Sequence, residues 1–90
     1  MASALHKERL DAIVRRLLDS GAARVLDLGC GPGELLLRLA QQPQFTCIVG
    51  IDIDARVLGE ARSALGLGLP HPADRIQVRY GSYEEADPEL

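Results

Sequence analysis

Residues 25–35 read VLDLGCGPGEL. An apolar run breaks into glycines two positions apart, Gly29, Gly31 and Gly33, and then resumes as apolar residues in helical rhythm. Residues 24–28 are a short run, apolar but for Arg24 and Asp27, the pattern of a strand buried on both faces. Glycines at such a junction allow positive φ and let a ligand approach the backbone closely. The helix that follows adds unpaired N–H groups at its first turn. The stretch therefore predicts a strand, a tight turn and a helix, with the turn as a ligand site.

Outward from this stretch the pattern repeats. Leu10, Ile13, Val14, Leu17 and Leu18 fall at i, i+3, i+4, i+7 and i+8, one face of an amphipathic helix over residues 3–19. Lys7, Glu8, Asp11, Arg15 and Arg16 occupy its other face, and Ser20-Gly21 supplies the stop. Residues 34–42 read as a helix with Leu35, Leu36, Leu39 and Ala40 inward, ended by Pro43. Residues 46–51 (TCIVGI) form a second buried strand ending at Asp52, and Asp54 is placed to cap a third helix striped by Val57, Leu58, Ala61 and Leu65. After a Gly- and Pro-rich loop at 66–73, residues 75–80 alternate, with Ile76, Val78 and Tyr80 on one face of a third strand. Gly81-Ser82 ends it, and the acidic stretch 83–90 carries little pattern.

Strands separated by helices give right-handed crossovers and a parallel sheet. The fold class is thus α/β, a Rossmann-like three-layer sandwich with helices on both faces. Three strands are fewer than such sheets usually carry, so the fold reads as truncated after the third.

Composition narrows the function classes. Of the 90 residues, 47% are hydrophobic and 26% charged, an ordinary globular balance, and aromatics are scarce enough that the core must be aliphatic. A formal net charge of -3 gives no support to a nucleic-acid or membrane partner from bulk charge. The first 20 residues are charged throughout, unlike a secretory signal, and no apolar run reaches membrane-spanning length. Cys30 and Cys47 lack metal-ligand spacing, and His6 and His71 stand too isolated to propose as ligands. A reducing, cytoplasmic setting with free thiols is the expectation. Cys30 has no neighbouring base, so it reads as a small residue whose backbone lines the pocket rather than as a nucleophile.

The second chemical feature is Asp52, at the end of the next strand and 19 residues past Gly33. A carboxylate there can accept both hydroxyls of a ribose, so the two features together describe a pocket for an adenosine-bearing ligand. Spacing selects among such ligands. The dinucleotide fingerprint G-x-G-x-x-G would place its third glycine at 34, where Glu34 stands instead and would repel a pyrophosphate. That weakens a nicotinamide-dependent oxidoreductase. Asp27, two residues before the first glycine, suits a cationic ligand bearing an ammonium or sulfonium group.

Asp27-Leu28-Gly29-Cys30-Gly31-Pro32-Gly33 resembles the first motif of class I S-adenosylmethionine-dependent methyltransferases, and Asp52, ending Val49-Gly50-Ile51-Asp52, resembles their ribose-binding acid. A narrower resemblance runs through segments 5–12, 43–46, 48–52 and 80–82 to the 3′-terminal RNA ribose 2′-O-methyltransferases. The resemblance implies residues 1–21 as an N-terminal helix and 22–90 as the S-adenosylmethionine-binding βαβαβ half of a partial class I methyltransferase domain. It implies that Asp27, Gly29, Cys30, Gly31 and Gly33 form the pocket for the methionine part of the cofactor. Asp52 would hold the ribose, Ile53 would pack on the adenine, and Ser82 and Tyr83 would meet the adenine end.

The family's catalytic segment, Glu-x-x-Glu-His with a later His, holds a divalent cation (Mg) that favours the deprotonated 2′-oxygen. No such segment occurs here: Glu84-Glu85 has no following His. The resemblance therefore implies the cofactor half without catalytic or metal residues, and an RNA 3′ end as acceptor only in a complete protein. In that fold the first strand is central, so residues 25–28 are expected to keep an unpaired edge open to a second copy or a partner chain. Three readings of the length stay open: a fragment, a small dimerising homologue, or one piece of a split protein. A non-catalytic interaction module and a methyltransferase of another substrate class remain the alternatives.

Overall fold

A computed structural model describes residues 4–68 and 74–81. Ser82, Tyr83 and His71 lie outside the described residues. The element order is α1 (Ala4–Asp19), β1 (Arg24–Leu28), α2 (Glu34–Ala40), β2 (Cys47–Asp52), α3 (Ala55–Leu65) and β3 (Ile76–Tyr80). The strands form a parallel sheet in the order β1-β2-β3, with Asp27 beside Gly50 and Gly50 beside Val78.

Local chemistry sets the helix ends where expected. The Asp54 side chain accepts from the backbone N–H of Arg56 and Val57, capping α3, and Gly66 closes that helix in the left-handed conformation at φ 69°. Gly21, at φ 75°, does the same for α1. α2 stops at Ala40 rather than running to Gln42. The N–H groups of Gln41 and Gln42 turn to the carbonyls of Arg38 and Leu39, a tightening imposed by Pro43, which disfavours helical geometry at the residue before it.

The largest core cluster lies on one side of the sheet. Val14 of α1, Leu36 and Leu39 of α2 and Leu58 and Ala61 of α3 pack with Ile48, Val78 and the fully buried Phe45. The described helices all share this face, so the described residues supply two layers, a sheet and its helical cover. Ile13, placed by periodicity on the inner face of α1, is 42% exposed, at the margin of that contact.

The opening strand departs from expectation. β1 alternates between exposed and half-buried rather than being buried on both faces: Leu26 and Leu28, on the side away from the core, are 37% and 50% exposed. Among the described residues β1 pairs with β2 alone, so these side chains have a strand neighbour on one flank only. Val49 and Ile51, beside them in the middle strand, are buried, and β2 is flanked on both edges. Among the described residues, no helix is long and apolar enough to cross a membrane.

Gln44 ties the α2–β2 connection to the end of α1 and the turn after it, and Arg75 ties it to the start of β3. The Arg75 guanidinium donates to the carbonyls of Phe45 (2.7 Å), Gln42 (2.8 Å) and Ala40 (3.0 Å). Ala40 ends α2 and the other two lie past it, where neither a helix nor a strand ladder supplies the donor, so the charged fork takes that place. Arg75→Met, which keeps most of the apolar stem, is expected to lower folding stability by about 2 kcal/mol. A urea midpoint unchanged from that of the parent chain would contradict this assignment.

Candidate cofactor site

Turn geometry builds the site. Gly29, Gly31 and Gly33 adopt φ of 73°, 56° and 91°, a region that side chains with a Cβ rarely enter. Folded this way, the loop aims its amides at the end of the neighbouring strand. The N–H groups of Gly29 and Cys30 both donate to the Ile51 carbonyl, at 2.7 and 3.0 Å. The N–H of Gly31 donates to Asp52 Oδ2 at 3.0 Å. The other oxygen of that carboxylate, Oδ1, accepts from the Asp54 N–H at 2.9 Å.

With those amides turned inward, what the loop offers outward is an acid and bare backbone. A cleft of about 260 Å³ opens there. Asp27, Gly29, Cys30, Gly31 and Pro32 line one side of it, Glu34 and Leu35 of α2 another, and His6 and Leu10 of α1 the third. Across its mouth His6 Nε2 lies 3.1 Å from Glu34 Oε2. A second cleft of about 260 Å³ lies between α1 and the end of α2, but its acid, Asp11, is already engaged by Arg38 and it has no glycine loop.

The two predicted acids are in opposite electrostatic states. Burial, reinforced by the nearby Asp52 charge, raises the Asp27 carboxyl above the ordinary carboxylate range. Backbone N–H donors from Asp54, Gly31 and Ile53 hold Asp52 below it. Burial together with both acids pushes the Cys30 thiol up to about 11, which keeps it protonated and agrees with its reading as a pocket-lining residue rather than a nucleophile.

The predicted residues therefore divide. Asp27, Gly29, Cys30 and Gly31 face the cleft, whereas Asp52 supports the loop from the strand end. Ile53 beside it is 69% exposed, an apolar surface with nothing packed on most of it. Gly33 lies behind the loop: a Cβ there would sit 3.2 Å from Ala61 Cβ, so its small size serves the contact between α2 and α3. Ser82 and Tyr83 fall outside the described residues.

Sequence reasoning missed His6 and Leu10 as cleft residues. Helical periodicity orients α1 about its own axis but carries nothing about which later loop it covers. Gly50 was missed as well, since a Cβ on it would come within 2.6 Å of Leu36 Cδ1 and 2.9 Å of Cys30 Cβ. The glycine within an otherwise β-branched strand was a visible signal of close approach.

The family model described as a methyltransferase domain matches residues 25–89. The small RNA 2′-O-methyltransferase of Arabidopsis thaliana is 31% identical over 74 residues, covering 81% of this chain and 8% of that protein. The methyltransferase domain of bacterial CtHen1-CN superposes with a TM-score of 0.81 at 34% identity, over 94% of this chain and 45% of that chain. An RNA methyltransferase from Salinibacter ruber, in complex with S-adenosyl-L-homocysteine, gives a TM-score of 0.60 at 30% identity, over 84% of this chain and 50% of that chain. The chain thus spans half or less of the length of each.

Ionising Asp27 works against folding, because its folded pKa lies above that of the unfolded chain. The cost is absent below the ordinary carboxyl range and complete once the pH exceeds the folded pKa. Asp27→Asn is therefore expected to raise the urea midpoint at pH 7 and to change it little near pH 3. An equal gain at both pH values would show that charge is not the cause.

Proposed function

This chain belongs to the class I S-adenosylmethionine-dependent methyltransferase domain family, and from that premise we propose that its glycine cleft holds the methyl donor. The observation that carries the proposal is the loop's inward-turned amides. They withdraw the donors that a pyrophosphate would need and leave Asp27, an acid, at the cleft wall. A donor with an ammonium and a sulfonium group meets that surface favourably, and its positive charge favours the ionised form of Asp27.

In this reading Asp27 faces the methionine ammonium, and the bare backbone of Gly29, Cys30 and Gly31 lets that part of the ligand lie close. Gly33 keeps α2 tight behind the loop, Asp52 accepts the ribose hydroxyls, and Ile53 covers the adenine. Ser82 and Tyr83 are assigned to the adenine end on the resemblance alone. Residues 1–21 then serve as a helical wall and 22–90 as the donor-holding half of the domain. The bound donor supplies an electrophilic methyl group, and the residues named here bind and orient it.

We assign the acceptor, in the complete protein, to the 2′-hydroxyl of an RNA 3′-terminal ribose. The support is the likeness to the small RNA 2′-O-methyltransferase and to the CtHen1-CN domain. The divalent cation that goes with that chemistry does not fit the described residues, which hold no group of three or more His, Cys, Asp or Glu side chains able to ligate a metal. Their role stops at holding the donor. A second reading, a module that pairs with a second copy or another chain, is favoured by the free edge of β1 and the half-exposed Leu26 and Leu28.

Calorimetric titration of the folded chain with S-adenosylhomocysteine is expected to saturate at one ligand per chain. Asp52→Ala should weaken that binding at least about tenfold, the loss of charge-assisted hydrogen bonds to the ribose. Well-folded chain that releases no heat would overturn the donor reading. A short single-stranded RNA added to the loaded chain should shift the amides at the cleft mouth, around His6 and Glu34. Silence there would remove the RNA acceptor while leaving the donor site standing. Sedimentation as a stable dimer would favour the pairing module.

A further inference from the structure

Asp52 carries more than the role its position implies. Each carboxylate oxygen is already engaged, Oδ2 by the Gly31 N–H at 3.0 Å and Oδ1 by the Asp54 N–H at 2.9 Å. A carboxylate has about four acceptor positions, so these bonds leave room for ribose hydroxyls on the remaining lone pairs. The same group can therefore grip the ribose and hold the loop at once. Gly31 is the glycine of the loop whose N–H reaches a side chain; those of Gly29 and Cys30 are tied to the Ile51 carbonyl of the strand.

We propose that Asp52 is a positioning residue that couples the two ends of the donor, setting the amino-acid subsite through the Gly31 N–H while it binds the ribose. The inference rests on the donor reading given above. Physically, the Gly31 amide sits at φ 56°, a conformation glycine reaches without strain but also leaves freely, so an unbraced loop would sample others. The bond to Asp52 removes that freedom before the ligand arrives. Ordering the loop is then not charged against binding of the methionine end. Ribose hydroxyls donating to the same carboxylate add to its ordered hydrogen bonds, so each end of the ligand favours the geometry the other needs.

The decisive variant is Asp52→Asn. It keeps the shape and one acceptor but presents an NH₂ group to one of the two backbone donors, so the amide cannot satisfy both. Two ligands separate the roles: S-adenosylhomocysteine, and 5′-methylthioadenosine, which keeps the adenosine and thioether but lacks the amino-acid end. If Asp52 serves the ribose alone, both affinities fall by the same factor. If it also positions the loop, S-adenosylhomocysteine is expected to lose about tenfold more than 5′-methylthioadenosine. Equal losses would overturn the coupling. Failure of the unmutated chain to bind either ligand would instead overturn the donor reading, and the coupling with it.

The brace itself can be read in the unmutated, ligand-free chain. The Gly31 and Asp54 amide protons are expected to shift through the same pH midpoint as the Asp52 carboxyl carbon. Among the described residues, Asp27, Cys30, Asp54 and, beside it on β3, Tyr80 are the other titratable groups around it. Asp27 titrates above the ordinary range and Asp52 below it, which keeps the two midpoints apart. A Gly31 amide that ignores the Asp52 titration, or follows Asp27 instead, would overturn the brace whether or not Asp52→Asn folds.

Discussion

The contact between the glycine loop and the end of β2 governs the rest of the structure. Successive amides of Gly29, Cys30 and Gly31 are satisfied by the Ile51 carbonyl and the Asp52 carboxylate. A loop so close to buried strands cannot leave backbone donors unpaired without a large desolvation cost. Meeting that demand from the neighbouring strand decides what the loop can bind. Its amides point away from the cleft, and the surface left for a ligand is acidic and bare of side chains at Gly29 and Gly31.

That arrangement works only because the packing beneath it is close. Gly50 lets Leu36 and Cys30 approach β2 to distances no side chain would allow, and Gly33 lets α2 settle against Ala61 of α3. The loop, β2 and both helices thus share one small contact region beside the core cluster. The acids pay different amounts for it. Asp52 is compensated by backbone donors, whereas burial and the nearby Asp52 charge leave the Asp27 carboxyl raised. An uncompensated acid at a cleft wall costs stability in the free protein, a common condition of a site awaiting its ligand.

The glycine cleft and the free sheet edge are distinct features of this chain. The described residues complete a cleft, its loop and its supports, while β1 keeps one edge without a partner strand among them. The chain spans half or less of the relatives and solved domains it resembles. The free edge and the half-exposed Leu26 and Leu28 mark where additional structure, from whatever chain, would meet this sheet.

The sequence by itself determined the element order, the parallel sheet and the place of the glycine turn between β1 and α2, because those depend on near neighbours. The helical runs of α1 and α3, the Asp54 cap and the positive-φ turn at Gly29, Gly31 and Gly33 are all local, and each took the predicted form, Ile13 at the margin of α1 excepted. Only the tertiary structure decided which of those glycines face the cleft, that Gly33 serves packing, and that His6 stands across from Glu34, 28 residues away in the chain. It also reversed the expectation for β1, whose apolar composition implied burial on both faces. Burial there depends on what lies beside the strand rather than on the strand's own residues. The division follows from range. Hydrogen bonds along a helix or around a turn are set by a few consecutive residues, whereas a cleft is set by which distant surfaces the fold brings together.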